Sequence, residues 1–165
     1  MPKSETQTLV EMLELTRALT KFYLKKLAGQ DLYKVFEIEG KQLNSILWLI
    51  AHMTVSENWL LLVCTGGEKV NIPWARQFGL GSKIPNIEDY PPAEEIMEMF
   101  EIVHQKSIEY IRSLSDIDLA KPTTNEIDFG GEDSVRAIIK HSIRHEGTHT
   151  GHLSWLCKLF GVKTI

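Results

Sequence analysis

A chain of 165 residues with 43% apolar and 24% charged side chains has the make-up of a globular domain able to bury a core, and it reads as one domain over 1–165. Its formal charge of −4 and pI near 5.9 come without any run of Lys or Arg, which excludes the basic footprint of a nucleic-acid-binding surface. The start, MPKSETQTLV, lacks a signal-peptide core, and no apolar run reads as long as the roughly 18 residues that span a membrane, so a soluble cytoplasmic protein is expected.

In SETQTLVEMLELTRALTKFYLKKLAG, Leu9, Met12, Leu13, Leu19, Phe22, Tyr23 and Leu27 recur at threes and fours, which predicts a helix capped by Ser4 and ended by Gly29. The alternation in YKVFEIE could make a short strand, but no partner strand is evident, so the stretch reads as an extended crossover. A second helix opens at Asn44 or Ser45 and runs to about Cys64; it is the most apolar segment and belongs at the centre of the core. Residues 65–91 form a long connection rich in Gly and Pro, read equally well as a functional lid or pocket wall and as a structural wrap. A third helix has Pro92 near its first turn, Glu94 and Glu95 at its positive end, and continues to about Leu114. After a second breaker-rich connection over 115–134, Asp133 or Ser134 caps a fourth helix that ends near Gly161. Four long helices with at least one crossover predict an all-α four-helix bundle. Cys64 and Cys157, far apart in apolar surroundings, read as buried free thiols.

The fourth helix carries HSIRHEGTHTGH, with four of the six histidines. At about 100° per residue, His141, His145, His149 and His152 fall within an arc of roughly 80°, on a face shared with Ile138 and Trp155. An inward polar stripe needs partners, because a buried unsatisfied donor or acceptor costs about 1–3 kcal/mol. One metal ion satisfies several imidazoles at once. His141 and His149, about 12 Å apart along the axis, are too distant to share an ion. The pairs His141/His145, His145/His149 and His149/His152 all remain open. His52, in the apolar run LWLIAHMTV, is the natural candidate for a further ligand, while His104, among Glu and Lys, reads as a surface residue. Trp48 and Trp155 read as plain core, with lining of the pocket beside the site as the alternative.

HEGTH over 145–149 matches the zincin pattern, in which a Glu between two zinc-binding histidines serves as general base. A zincin also needs a third ligand downstream. Only LSWLCKLFGVKTI follows His152, without His, Asp or Glu, and Gly147 does not fit the extended motif.

LNSILWLIAHMTVSENWLL, HEGTHTGH, IPWARQFGLGSKIP and YPPAEEIMEMF together resemble the DinB/YfiT-like metalloenzymes, small bacterial four-helix bundles, over most of residues 9–160. The resemblance implies a metal site made by His52, His145 and His149. It departs at His152, where that family usually has glutamine; His152 and His141 are then candidates to support the ligands, with His152 also open to proton transfer or an alternative metal arrangement.

Three neutral imidazoles leave the ion its full charge and an open coordination position, suited to Lewis-acid chemistry, to lowering the pKa of a bound water towards about 7, or to holding a thiolate. Zinc or nickel is the expected ion, with iron and cobalt also compatible. The resemblance implies a transferase, thiol-dependent in some relatives, or a hydrolase acting on a small molecule, and a homodimer. The contrasting reading is a non-catalytic binding or interaction protein with a structural metal. A third treats the histidines as a pH-responsive stripe.

Overall fold

The structure, a computed structural model, describes residues 3–125 and 132–164. Four helices make it up: α1 (Glu5–Lys26), α2 (Ile46–Glu57), α3 (Ala93–Ser113) and α4 (Val135–Leu159). Each start has a local cause. Ser4 and Gln7 form a reciprocal capping box on α1, Ser45 Oγ accepts from the Trp48 amide on α2, and Ser134 Oγ accepts from Ala137 on α4. On α3 the first turn follows Pro92 and carries Glu94 and Glu95.

Side-chain pairs fix the helix directions. Glu5 meets Arg136, Arg17 meets Glu146 and Thr20 meets Thr150, so α1 and α4 are parallel. Glu57 meets His104 and Thr65 meets Tyr110, so α2 and α3 are also parallel. Lys21–Glu101 and Arg112–Glu14 make α1 and α3 antiparallel. Two parallel neighbours that follow one another in the chain require a return along the bundle, and residues 65–91 provide it. Asn58 anchors that return, donating to the Val70 carbonyl and accepting from its amide, and Trp74 Nε1 donates to Glu95. At its start the chain grazes a ring: a Cβ on Gly67 would lie 2.9 Å from Tyr110, so only glycine fits.

The stretch read as a crossover without a partner contains one half of a hairpin. Strands β1 (Glu37–Ile38) and β2 (Lys41–Gln42) pair antiparallel around Glu39 and Gly40, both at positive φ. The partner was hidden because it is only two residues long. The expectation that no apolar run reaches membrane length also needs correction. Ile46–Val63 is long and apolar enough by composition, although His52, Thr54, Glu57 and Asn58 interrupt it. It is 78% buried among the other helices, as the core helix of a bundle is. After Glu57 the helix widens to π-helical bonding over Asn58–Val63. Of the connection read over 115–134, residues 126–131 lie outside the described residues.

Among the described residues the apolar core comes in two larger parts, with a small third cluster of Leu60, Cys64 and Ile138. One larger part packs Leu27, Ile50, Phe78, Phe100, Leu153 and Leu156, and the other packs Leu9, Leu13, Leu61, Ile111 and Ile139. Between their α1 residues lie Arg17 and Thr20, both buried. Arg17 Nε donates to Glu146 Oε1 at 2.8 Å, its Nη2 donates to Glu57 Oε2 at 2.6 Å, and its Nη1 donates to the Phe100 carbonyl at 3.0 Å. His104 Nδ1 lies 2.8 Å from Glu57 Oε1, so it is half-buried in this layer rather than at the surface. The α1 stripe is likewise rotated from the expected one: Met12, Leu19 and Phe22 are exposed, and Thr6, Val10, Arg17 and Thr20 face inward.

Candidate metal centre

His52 projects from the middle of α2 towards α4, where His145 and His149, one turn apart, share the facing side. The Nε2 atoms of His52 and His145 are 3.2 Å apart, as are those of His145 and His149. One ligand atom from each of the three histidines lies within 4.8 Å of the others, so the group can hold a metal ion. Tetrahedral bonds of about 2.0–2.1 Å place neighbouring donor nitrogens roughly 3.3 Å apart, close to the separations found.

Hydrogen bonds orient two of the rings. The Phe78 carbonyl can only accept, so the His52 proton sits on Nδ1, at 2.7 Å, and the Nε2 lone pair faces the cluster. Phe78 is fully buried in the 65–91 connection, which therefore forms a wall of the site. Trp48 stacks on the other side of His52, with ring centroids 4.7 Å apart and an interplanar angle of 13°. Its buried indole N–H has no hydrogen-bond partner among the described residues. On α4, His149 Nδ1 faces His152 Nδ1 at 3.2 Å. A proton shared between those two atoms leaves His149 Nε2 free to coordinate. His152 thus stands behind His149, placed to orient the ring, and is not one of the three converging donors.

The electrostatics favour neutral rings. Burial and then the neighbouring imidazoles hold His145 down to about 4 and His149 down to about 3. Burial also lowers His52, against the pull of the Phe78 carbonyl. In the unfolded chain these groups protonate near pH 6.5. Because the folded values are lower, the unfolded state takes up protons first as pH falls, and the metal-free protein should lose stability from about pH 6.5 down to about pH 4. Thermal midpoints across that range should show the slope, and His145→Ala with His149→Ala should flatten it. An unchanged slope in the double variant would place its origin elsewhere.

His141 stays outside the cluster. Its ring centroid is 6.0 Å from that of His145, and its Nδ1 lies 2.8 Å from Arg144 Nη2, which donates to it. Glu146, the general base of a zincin reading, is engaged elsewhere: Oε1 accepts from Arg17 and from Thr20 Oγ1, each at 2.8 Å, and Oε2 accepts from Arg17 at 3.1 Å. Trp155 is not in the core: it is 63% exposed and lines a cleft beside α4, in line with the alternative reading of it as a pocket residue. Sequence reading missed the Phe78 carbonyl, which no side-chain pattern could reveal. It also missed the Arg17 layer, although an arginine continuing the Leu9–Leu13 stripe was a signal of it.

His152 offers a specific test. Partners behind a ligating histidine typically contribute about 10–100-fold in metal affinity. His152→Ala should weaken zinc binding by about that factor, while His152→Gln, which can still accept from His149 Nδ1, should recover most of it. Competition titration with a chromophoric chelator measures both, and equal affinities in wild type and His152→Ala would remove the positioning role.

The sequence profile of the DinB superfamily matches residues 12–153. No curated protein matches the chain.

Proposed function

This chain belongs to the DinB superfamily, and from that premise we propose that it is a metal-dependent enzyme acting on a small molecule, a transferase using a low-molecular-weight thiol or a hydrolase. His52, His145 and His149 are the ligands in this reading. Zinc or nickel is the ion, with iron or cobalt also suited to three nitrogens. The observation that carries it is the convergence of three imidazole Nε2 atoms, with the His52 Nδ1 proton held outward by Phe78 and the His149 Nδ1 backed by His152.

When bound, the ion supplies Lewis acidity and deprotonates a water or thiol. The chain's own residues do the positioning. Phe78 and His152 hold two of the rings, and Trp48 and the wall around Phe78 screen His52 from water. Three protein donors would leave a coordination position for an exchangeable ligand, which supports the catalytic reading.

The test begins with metal analysis of protein prepared without a histidine tag or added metal. Metal-loaded protein is then incubated with bacterial low-molecular-weight thiols and a panel of electrophiles, and with ester and amide substrates. Metal-dependent turnover that is lost with chelator is expected. Bound metal with four protein ligands and no exchangeable water, together with no turnover across the panel, would favour a structural ion instead.

A further inference from the structure

Beside the cluster, a cleft of about 430 Å³ runs between the start of α2 and the end of α4 and is closed at its far side by the β1–β2 hairpin. It borders the candidate metal centre through His152, while His52, His145 and His149 are not among its lining residues. Leu49 lies three residues before His52 on α2, and His152, in contact with His149, is itself a lining residue. Leu156 and Leu159 extend the same wall along α4, about 10 Å from His152 to Leu159 at 1.5 Å per residue. Among the described residues no Asp, Glu, Lys or Arg lines it. Two large apolar side chains also stand exposed on its lips, Ile38 at 48% and Trp155 at 63%, from elements far apart in sequence. A concave, largely apolar cavity of this size with a few polar side chains, Gln42, Asn44 and His152, has the make-up of a small-molecule pocket.

We propose that this cleft holds the uncharged, apolar body of the substrate, with its reactive head at the three-imidazole centre. The proposal rests on the metal reading above and names the substrate class for it. The substrate is an organic molecule with an aliphatic or aromatic body about 10 Å long, not a highly charged metabolite. The apolar lining carries the class, since a charged body buried along it would lack a partner there; the Lys158 ammonium, 4.6 Å from the Trp155 ring centroid, lies at the rim. Ile38 and Trp155 are specificity-determining residues, because they alone among the exposed large hydrophobics line this cleft.

Straight-chain hydroxamates separate head from body, since the head binds a metal and the chain length is free to vary. Zinc-loaded full-length protein is titrated calorimetrically with acetohydroxamate, butanohydroxamate and octanohydroxamate. Affinity should rise by about 4-fold per added methylene until the cleft is filled. Ile38→Asp with Trp155→Asp, both at exposed positions, should lower octanohydroxamate affinity at least about 10-fold and leave zinc content at the wild-type level. Hydroxamates that bind with equal affinity whatever their length, or a folded double variant with undiminished chain-length dependence, would overturn the pocket while leaving the metal reading intact. Failure of the wild type to retain zinc would overturn the metal reading. In that case 1-octanol titrated into the metal-free protein decides the cleft by itself: binding lost in the double variant upholds an apolar pocket there, and no binding overturns it.

Discussion

Alanine at His52, His145 or His149 is expected to remove bound zinc, with affinity falling by about 10²–10³-fold for each single substitution. Zinc sites in small folded domains carry about 10–16 kcal/mol over four ligands, so one nitrogen corresponds to roughly 2.5–4 kcal/mol. The three should be similar in effect because each contributes one of the converging nitrogens, with two of the Nε2 separations at 3.2 Å. His141→Ala is the control. It lies on the same helix face, yet its ring centroid is 6.0 Å from that of His145, and its removal should leave zinc content unchanged. Metal analysis after dialysis, paired with a competition titration, reads both results. Zinc retained at wild-type affinity in all three alanine variants would eliminate this triad.

The second large effect concerns stability. Arg17 is 2% exposed and lies between Glu57 and Glu146, each of which it bonds directly. Burial opposes its charge, but the two carboxylates outweigh that and push the guanidinium pKa above its usual range. Burial also opposes the Glu57 charge, yet Arg17 and His104 hold the carboxyl below its usual range. Arg17→Met keeps most of the volume and strands both carboxylates in the interior, which should cost about 3–5 kcal/mol. Adding Glu57→Gln and Glu146→Gln removes the stranded charges and should restore much of the loss. Urea denaturation monitored by far-ultraviolet circular dichroism measures each step. A loss below about 1 kcal/mol for Arg17→Met would show that the layer is hydrated or rearranges, contrary to its burial here. Glu146 follows His145 directly, so the same variant should also weaken zinc binding if the layer positions α4.

The limits of sequence reading follow the range of each interaction. Helix starts were legible because Ser4, Ser45 and Ser134 each act on the amide three residues away. The inward polar face of α1 was not. Met12, Leu19 and Phe22 match an apolar period as well as Leu9 and Leu13 do, and only the position of α4 decides which stripe is covered. His104 was misplaced for the same reason, since its charged neighbours in sequence are not its neighbours in space.

By itself the sequence determined the helical class, the four helices and their caps, and the presence of imidazoles in excess on one face of α4. Those properties depend on periods of three to four residues and on local hydrogen bonding, which a linear pattern contains. It left three histidine pairs equally open. Tertiary structure brings His52 beside His145 and His149 across 93 residues of chain, a group that could hold an ion, and turns His141 towards Arg144 and His152 towards His149. It also placed the Phe78 carbonyl on His52 and opened the apolar cleft beside the cluster. Each of these depends on how helices face one another, and spacing along a single helix does not encode that.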